Sequence, residues 1–143
     1  ISGDEEGIWA IQILDEQIPT STEIPDFLQS AAHQLDDYFK GELQEFSLKL
    51  NPKGTNFQQK VWKALSEIPF GKTCSYLELS RKLGDEKAVR AVASANGKNP
   101  LWVVIPCHRV IGSDRSLTGY AGGLHRKQWL LNHENNTSQL SMF

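Results

Sequence analysis

The chain has 143 residues, 39% of them hydrophobic and 22% charged, with a net charge of −2, enough for one domain or two small ones sharing a core. No apolar run approaches the ~18 residues of a membrane-spanning helix, and two cysteines are no disulfide framework, so a helical membrane protein and a disulfide-stapled secreted scaffold are both excluded. No secretory signal is visible, and the protein is expected to be intracellular and reduced, in the cytoplasm or the nucleus.

The net charge hides an asymmetry. Residues 1–51 hold two basic and eleven acidic residues, whereas residues 52–143 hold thirteen basic and six acidic. A basic half joined to an acidic half points to a polyanionic partner for the basic side.

Asp4-Glu5-Glu6-Gly7 reads as an acidic turn and Ile8 to Leu14 as a strand. Its hairpin partner is expected upstream of Ile1, and because the chain opens without Met, an upstream stretch is expected to have been removed. Gln17 to Pro25 is a loop. From Asp26, the positions of Phe27, Leu28, Ala31, Leu35, Tyr38 and Phe39 predict a helix that stops at Gly41. His33 falls on its polar face, which suits a surface role. Phe46, Leu48 and Leu50 alternate with polar residues and predict a half-buried strand. No residue pattern in this half carries chemistry.

Asn51-Pro52-Lys53-Gly54 is a turn and the best boundary in the chain, giving domains 1–51 and 52–143. Thr55 and Gln58 have capping-box spacing, and Phe57, Val61, Trp62 and Leu65 form the predicted buried stripe of the helix that follows. Pro69 to Lys72 is a turn. Ser75 and Glu78 repeat the capping spacing for a short helix to about Leu83. Gly84 breaks it, Asp85 caps the next, and Glu86 to Asn96 is helical. Two short helices around a tight glycine turn suggest a helix-turn-helix. Many such hairpins bind nothing, but the second helix, Ala88 to Ala95, is nearly all small residues apart from Arg90. A thin helix can lie close to a duplex groove while the one long cation reaches inside.

Leu101 to Ile105 predicts a buried strand or extended core segment, ended by Pro106. At that stop stand a thiol, an imidazole and a guanidinium, Cys107-His108-Arg109. A lone cysteine is often just a small buried hydrophobe. A thiol with cationic neighbours is also a good place to make a thiolate. Gly112 to Ser116 then reads as a turn and Gly119-Tyr120-Ala121-Gly122-Gly123 as a flexible loop. Leu124 to His133 predicts a last helix, with Trp129, Leu130 and His133 on its stripe, ending near Glu134. The tail from Asn135 is polar and expected to fray.

Pro106-Cys107-His108-Arg109-Val110 and about ninety residues around it resemble the O6-alkylguanine-DNA alkyltransferases, proteins that move alkyl groups from guanine onto their own cysteine. The resemblance implies that Cys107 is the alkyl acceptor and that His108 deprotonates it, in this family through a water. Glu134 would orient His108, and Asn99 would brace the active-site turn. Tyr76 would press on the target phosphate and hydrogen-bond guanine N3. Arg90 would fill the hole left in the base stack, with Ala91, Ser94, Ala95 and Gln58 also along the DNA. Tyr120, Ala121, Gly122, Val110 and Trp102 would wall the guanine pocket. The partner would be double-stranded DNA bearing O6-alkylguanine or O4-alkylthymine, met by a monomer without cofactor or membrane.

Three departures matter. Ala121 stands where some relatives have Ser, so a hydroxyl contact is lost while the backbone N–H remains. Trp102 is larger than the resemblance implies at that place and is expected to crowd the pocket. The N-terminal zinc ligands of some relatives are missing, so no metal is expected. Relatives with Trp at the acceptor position are damage sensors, and Cys107 argues against that role.

The chemistry can also be read without the family. Removing an alkyl group from O6 by SN2 attack needs a soft nucleophile, and a thiol with a pKa of about 8.5 is only a few per cent thiolate at pH 7. Lowering that by about two units corresponds to roughly 2.7 kcal/mol, which a charged or hydrogen-bonding His108 held by Glu134 is expected to supply. The O6 of a stacked base is out of reach, so the nucleotide must be flipped.

The expected fold is therefore α/β: a small N-terminal α/β unit and a largely helical C-terminal domain with a helix-turn-helix. The expected function is single-use repair of alkylated guanine. The alternatives are a DNA-binding or damage-sensing module with an inert cysteine, and a Cys–His hydrolase. Adjacent Cys and His do not by themselves form the oriented dyad such a hydrolase needs.

Overall fold

The computed structural model describes residues 1–14, 16–114, 120 and 123–140. Expectations that fall on Ser116, Gly119, Ala121, Gly122 or residues 141–143 lie outside them. The chain divides into two units, Ile1–Lys53 with Pro100–Trp102, and Gly54–Asn99 with Val103–Phe143.

In the first unit, strands β1 (Ser2–Asp4) and β2 (Gly7–Ala10) form an antiparallel hairpin. The acidic turn closes it, with Glu6 N–H donating to Asp4 Oδ1 at 2.8 Å. The partner expected upstream of Ile1 is thus Ser2–Asp4, and β2 ends four residues before Leu14. Ser-Gly-Asp carries no apolar alternation, so only its pairing marks it as a strand.

The stretch read as a strand at Phe46–Leu50 makes a single parallel bridge, Leu50 to Ile8. Ile8 N–H donates to Lys49 O at 2.8 Å and Asn51 N–H to Ile8 O at 2.7 Å. Its half-buried side chains still alternate as expected, at Phe46, Leu48 and Leu50. The Pro100–Trp102 segment joins through a parallel bridge of the same pattern, Leu101 to Ile11, with Ile11 N–H on Pro100 O at 2.8 Å and Trp102 N–H on Ile11 O at 3.2 Å.

Helix α1 (Asp26–Phe39) buries Ala31 and Tyr38, while Phe27 and Phe39 are 44% and 46% exposed. His33 is on the surface, 3.3 Å from Asp37.

The second unit begins with helix α2 (Asn56–Ser66), whose capping box is complete. Gln58 N–H donates to Thr55 Oγ1 at 3.1 Å, and Thr55 N–H to Gln58 Oε1 at 2.9 Å. Val61, Trp62, Ala64 and Leu65 are buried. Phe57 is 39% exposed and does not belong to that stripe. Gly54 is needed where it stands, since a Cβ there would overlap the Trp62 indole.

Strand β3 (Cys74–Ser75) leads into helix α3 (Tyr76–Lys82), capped by Ser75 Oγ accepting from Glu78 N–H at 3.0 Å. Gly84, at φ 89°, takes the turn that an L side chain resists. Asp85 then caps a 3₁₀ turn, Glu86–Ala88, that runs into helix α4 (Val89–Gly97). Helices α3 and α4 pack together with Leu79 and Val92 fully buried, and Trp62 Nε1 ties α2 to α4 through Ala95 O at 2.9 Å.

Of the stretch Leu101–Ile105, Leu101 makes only its isolated bridge to Ile11 and Trp102–Val104 is a turn, so it is no strand. Val103 sits at φ 74°, a left-handed conformation that costs a β-branched residue roughly 1–2 kcal/mol. Strand β4 (Val110–Ile111) pairs in parallel with β3.

Helix α5 (Leu124–Leu140) continues past its expected end at Glu134. It buries Lys127, Leu130 and Glu134, whereas Trp129 is 52% exposed and stacks on His133 with ring centroids 5.0 Å apart. The fold is mixed α/β, with helices dominating the second unit and a helix-turn-helix within it.

Candidate active site

Cys107 is set by two successive tight turns. Pro106, at φ −82° and ψ 63°, is the centre of an inverse γ-turn in which Cys107 N–H donates to Ile105 O at 2.8 Å. Proline's ring pre-sets that φ. A 3₁₀ turn over Cys107–Arg109 follows, then β4 anchors the exit. Asn99, itself buried, donates from Nδ2 to the same Ile105 oxygen at 2.8 Å, and its carboxamide also hydrogen-bonds the Cys107 thiol. Asn99 thus braces the turn and favours the charged form of the thiol.

His108 is fully buried. Its Nε2 lies 2.7 Å from Glu134 Oε2, and its Nδ1 makes no hydrogen bond to the described residues. Glu134 reaches in from α5 and is shared. Arg109 donates from Nε to Oε1 at 2.8 Å and from Nη2 to Oε2 at 3.0 Å, and Gly71 N–H lies 3.3 Å from Oε1. Arg109 Nη1 also donates to Ile68 O at 2.7 Å, with its guanidinium 5.7 Å from the Phe70 ring centroid.

The electrostatics follow from this burial. Burial alone would raise the Glu134 pKa, but hydrogen bonds from His108 and Arg109, with their charges, hold it well below the usual carboxylate range. Burial pushes His108 down. Glu134 opposes that, and the charges of Arg109 and Lys127 add to it. The resting pair is therefore neutral imidazole and carboxylate.

Burial also pushes the Cys107 thiol up, with the Asn99 hydrogen bond and the Lys127 charge offsetting this only in part. The expectation of a preformed, low-pKa thiolate is thus corrected. A desolvated thiol beside a neutral His stays protonated until a base takes the proton.

Lys127 was not found in the sequence reading. Its side chain is fully buried, with Nζ donating to Val110 O at 2.5 Å and lying 6.0 Å from the Tyr76 ring centroid. Burial lowers its pKa and Cys107 raises it. The missed signal was the i, i+3, i+7 spacing of Lys127, Leu130 and Glu134, in which two charges occupy core positions.

Of the other expected residues, Tyr76 is half-buried against Lys127, and Val110 is fully buried. Burial pushes the Tyr120 hydroxyl pKa up, reinforced by Cys107. Arg90, Ala91 and Ser94 line the exposed face of α4. Ala95 does not: it is 3% exposed, and its carbonyl is the acceptor for Trp62. Gln58 spends its side-chain oxygen on the α2 cap. Trp102 groups with the first unit. Ala121 and Gly122 lie outside the described residues. Among the described residues, no three His, Cys, Asp or Glu side chains are placed to hold a metal.

Two family models match the chain. One is the 6-O-methylguanine DNA methyltransferase ribonuclease-like domain, over residues 1–52; the other is the DNA binding domain of the same family, over residues 56–136. A Methanosarcina barkeri relative named methylated-DNA–protein-cysteine methyltransferase is 48% identical over 95% of this chain and 89% of its own length. A relative of the same name from Mycolicibacterium paratuberculosis is 50% identical over 85% of this chain and 73% of its own. The crystal structure of Mycobacterium tuberculosis OGT in complex with DNA superposes with a TM-score of 0.86 at 44% identity, covering 95% of this chain and 85% of that one. With both domain models matched in order and a signature thiol held as described, the chain belongs to the methylated-DNA–protein-cysteine methyltransferase family.

Proposed function

We propose that this protein repairs O6-alkylguanine in duplex DNA by irreversible transfer of the alkyl group to Cys107. The observation that carries the reading is one buried turn holding Cys107 and His108 together, with the far nitrogen of His108 on Glu134.

The exposed face of α4 lies along the DNA, and Arg90 occupies the space a flipped nucleotide leaves. Once the base is in the pocket, His108 Nδ1 accepts the Cys107 proton, directly or through one water. The sulfur attacks the alkyl carbon, the S–C bond forms and the C–O6 bond breaks. Tyr76 donates at guanine N3 as the leaving group gains charge, so that in net terms the thiol proton ends on guanine. Lys127, fixed on Val110 O, lends its charge to the sulfur while it is anionic. The thioether has no route back, so each molecule acts once. An O4-alkylthymine offers the same alkyl–oxygen bond on a flipped base.

The domain boundary belongs to this proposal: residues 52–143 carry the DNA face and the thiol. Every group invoked comes from one chain, so the working unit is a monomer. It acts in the compartment that holds the DNA, and no helix among the described residues is long and apolar enough to cross a membrane.

The test is Cys107→Ser with O6-methylguanine duplex DNA. Transfer is expected to vanish while DNA binding persists. Peptide mapping that placed the alkyl group of the wild type on Cys74 would overturn the assignment.

A further inference from the structure

We infer that Arg109 is a positioning residue that keeps His108 neutral, by occupying both oxygens of the Glu134 carboxylate that the imidazole faces. The inference rests on the proposed function, because a neutral imidazole matters only if His108 must take a proton from Cys107.

The geometry is that of one carboxylate between two partners. Glu134 Oε2 meets both His108 Nε2, at 2.7 Å, and Arg109 Nη2, at 3.0 Å, while Oε1 takes Arg109 Nε at 2.8 Å. A buried carboxylate facing an imidazole alone would favour the imidazolium, since the ion pair has no other source of positive charge. Here the guanidinium, a permanent cation, already compensates the carboxylate. A second proton on the imidazole gains correspondingly less and still bears the cost of burial.

Arg109 cannot easily give up this post. Its third hydrogen bond goes to Ile68 O at 2.7 Å, and the Phe70 ring lies 5.7 Å from its guanidinium. The charged and titratable groups around His108 are Glu134 and Lys127 from α5, and Cys107 and Arg109 from its own turn. Of these, Glu134 favours the imidazolium, while Arg109 and Lys127 disfavour it together with burial. The arrangement leaves the proton on Nε2, donated to Glu134, and a lone pair on Nδ1, the atom that makes no hydrogen bond to the described residues. Arg109 stands beside Cys107 and His108 in the sequence and touches neither the thiol nor the base. It acts through Glu134.

Two measurements on the full chain test this. The first is nitrogen-15 NMR of the histidine-labelled wild type, with His108 assigned by comparison with His108→Gln. At pH 7 the expected signals are those of a neutral ring protonated at Nε2, and an imidazolium at pH 7 would overturn the inference. This readout is independent of whether the wild type transfers alkyl groups, so its failure is separable from failure of the proposed function.

The second is the rate of reaction with free O6-benzylguanine against pH for wild type, Arg109→Met and Arg109→Lys. With Arg109→Met the acid limb is expected to move to higher pH by about one unit or more, with the rate largely recovered above it. Arg109→Lys keeps the charge and is expected to restore the position of the limb. A loss that is the same at every pH, with the limb unmoved, would make Arg109 a purely structural clamp and overturn the inference. Should Arg109→Met not fold, the same limb is read in Arg109→Gln, which removes the charge and keeps amide donors for Glu134, and an unmoved limb there would overturn the inference.

Discussion

Helices α2 and α5 bury stripes of opposite character. α2 hides Val61, Trp62, Ala64 and Leu65, whereas α5 hides Lys127, Leu130 and Glu134. An apolar stripe stabilises by leaving water and asks only for a fitting neighbour. A buried charge costs several kcal/mol unless each of its hydrogen-bonding positions is met. On α5 the partners are the groups around the thiol: His108, Arg109 and Gly71 on Glu134, and Val110 O on one of the three donors of Lys127. Function in this unit sits where charge is buried. One helix holds the domain together, and the other gives up apolar burial to place one charge on the imidazole and one near the thiol.

Two substitutions, one on each helix, separate the two roles. Glu134→Gln removes one partner of a buried ionic cluster and should cost roughly 3–5 kcal/mol of stability. Leu65→Ala leaves a cavity and should cost roughly 2–5 kcal/mol. Urea unfolding of the two should look alike. Their transfer rates per folded molecule should not: the Leu65 variant keeps the wild-type rate, while the Glu134 variant falls with the loss of a neutral, oriented His108. Equal rate losses would mean that α5 is only a scaffold.

Acid sharpens the same contrast. The folded pKa of His108 is below its unfolded value of about 6.5, so the stability it contributes is complete above that pH and is lost as pH falls toward the folded pKa. Glu134 is likewise depressed, so its contribution is present above about pH 4.3 and disappears as pH falls further. Stability should therefore decline from about pH 6.5 downward and more steeply below 4.3, by an amount on the order of 2 kcal/mol. In Glu134→Gln the steeper part should flatten, and in Leu65→Ala it should remain. Thermal melts of all three across pH 3–8 check this.

How much of this was legible in the sequence depended on range. The α2 cap was readable because Thr55 and Gln58 satisfy each other within one turn, and the Gly84 break because its demand is local. The Pro106–Val110 signature identified the thiol and imidazole. The charged stripe of α5 was not legible from pattern, since Lys and Glu in a helix normally read as its wet face. Glu134 came only through resemblance, and Lys127 not at all. Their burial depends on Gly71, Val110 and Arg109, partners brought up by the fold. The same holds for β1 and for Val103, whose conformations are fixed by pairing and packing and not by their own preferences. Phe57 failed in the other direction, as an apolar residue at the right spacing that the neighbouring elements leave uncovered.

Away from the thiol, Arg90 on α4 offers a smaller effect. Arg90→Ala should slow transfer from duplex DNA by the equivalent of about 1–3 kcal/mol, one stacking contact, and leave the free base O6-benzylguanine unaffected. Second-order rates with both substrates measure this. Equal losses would make Arg90 a support of the fold. The least dramatic effect is on affinity: log K should fall with log[salt] and vary little with base sequence, because phosphate contacts from a basic half release counterions. A flat salt plot would contradict the assignment of the +7 half to DNA.

The central claim is that Cys107 accepts the alkyl group once and keeps it. Intact mass, followed by peptide mapping, after incubation with excess O6-methylguanine duplex DNA tests it most directly. The expected result is a gain of one methylene per molecule, confined to Cys107, with no second turnover however long the reaction runs. An unchanged mass in protein that still binds the damaged duplex would make the chain a damage sensor and contradict it.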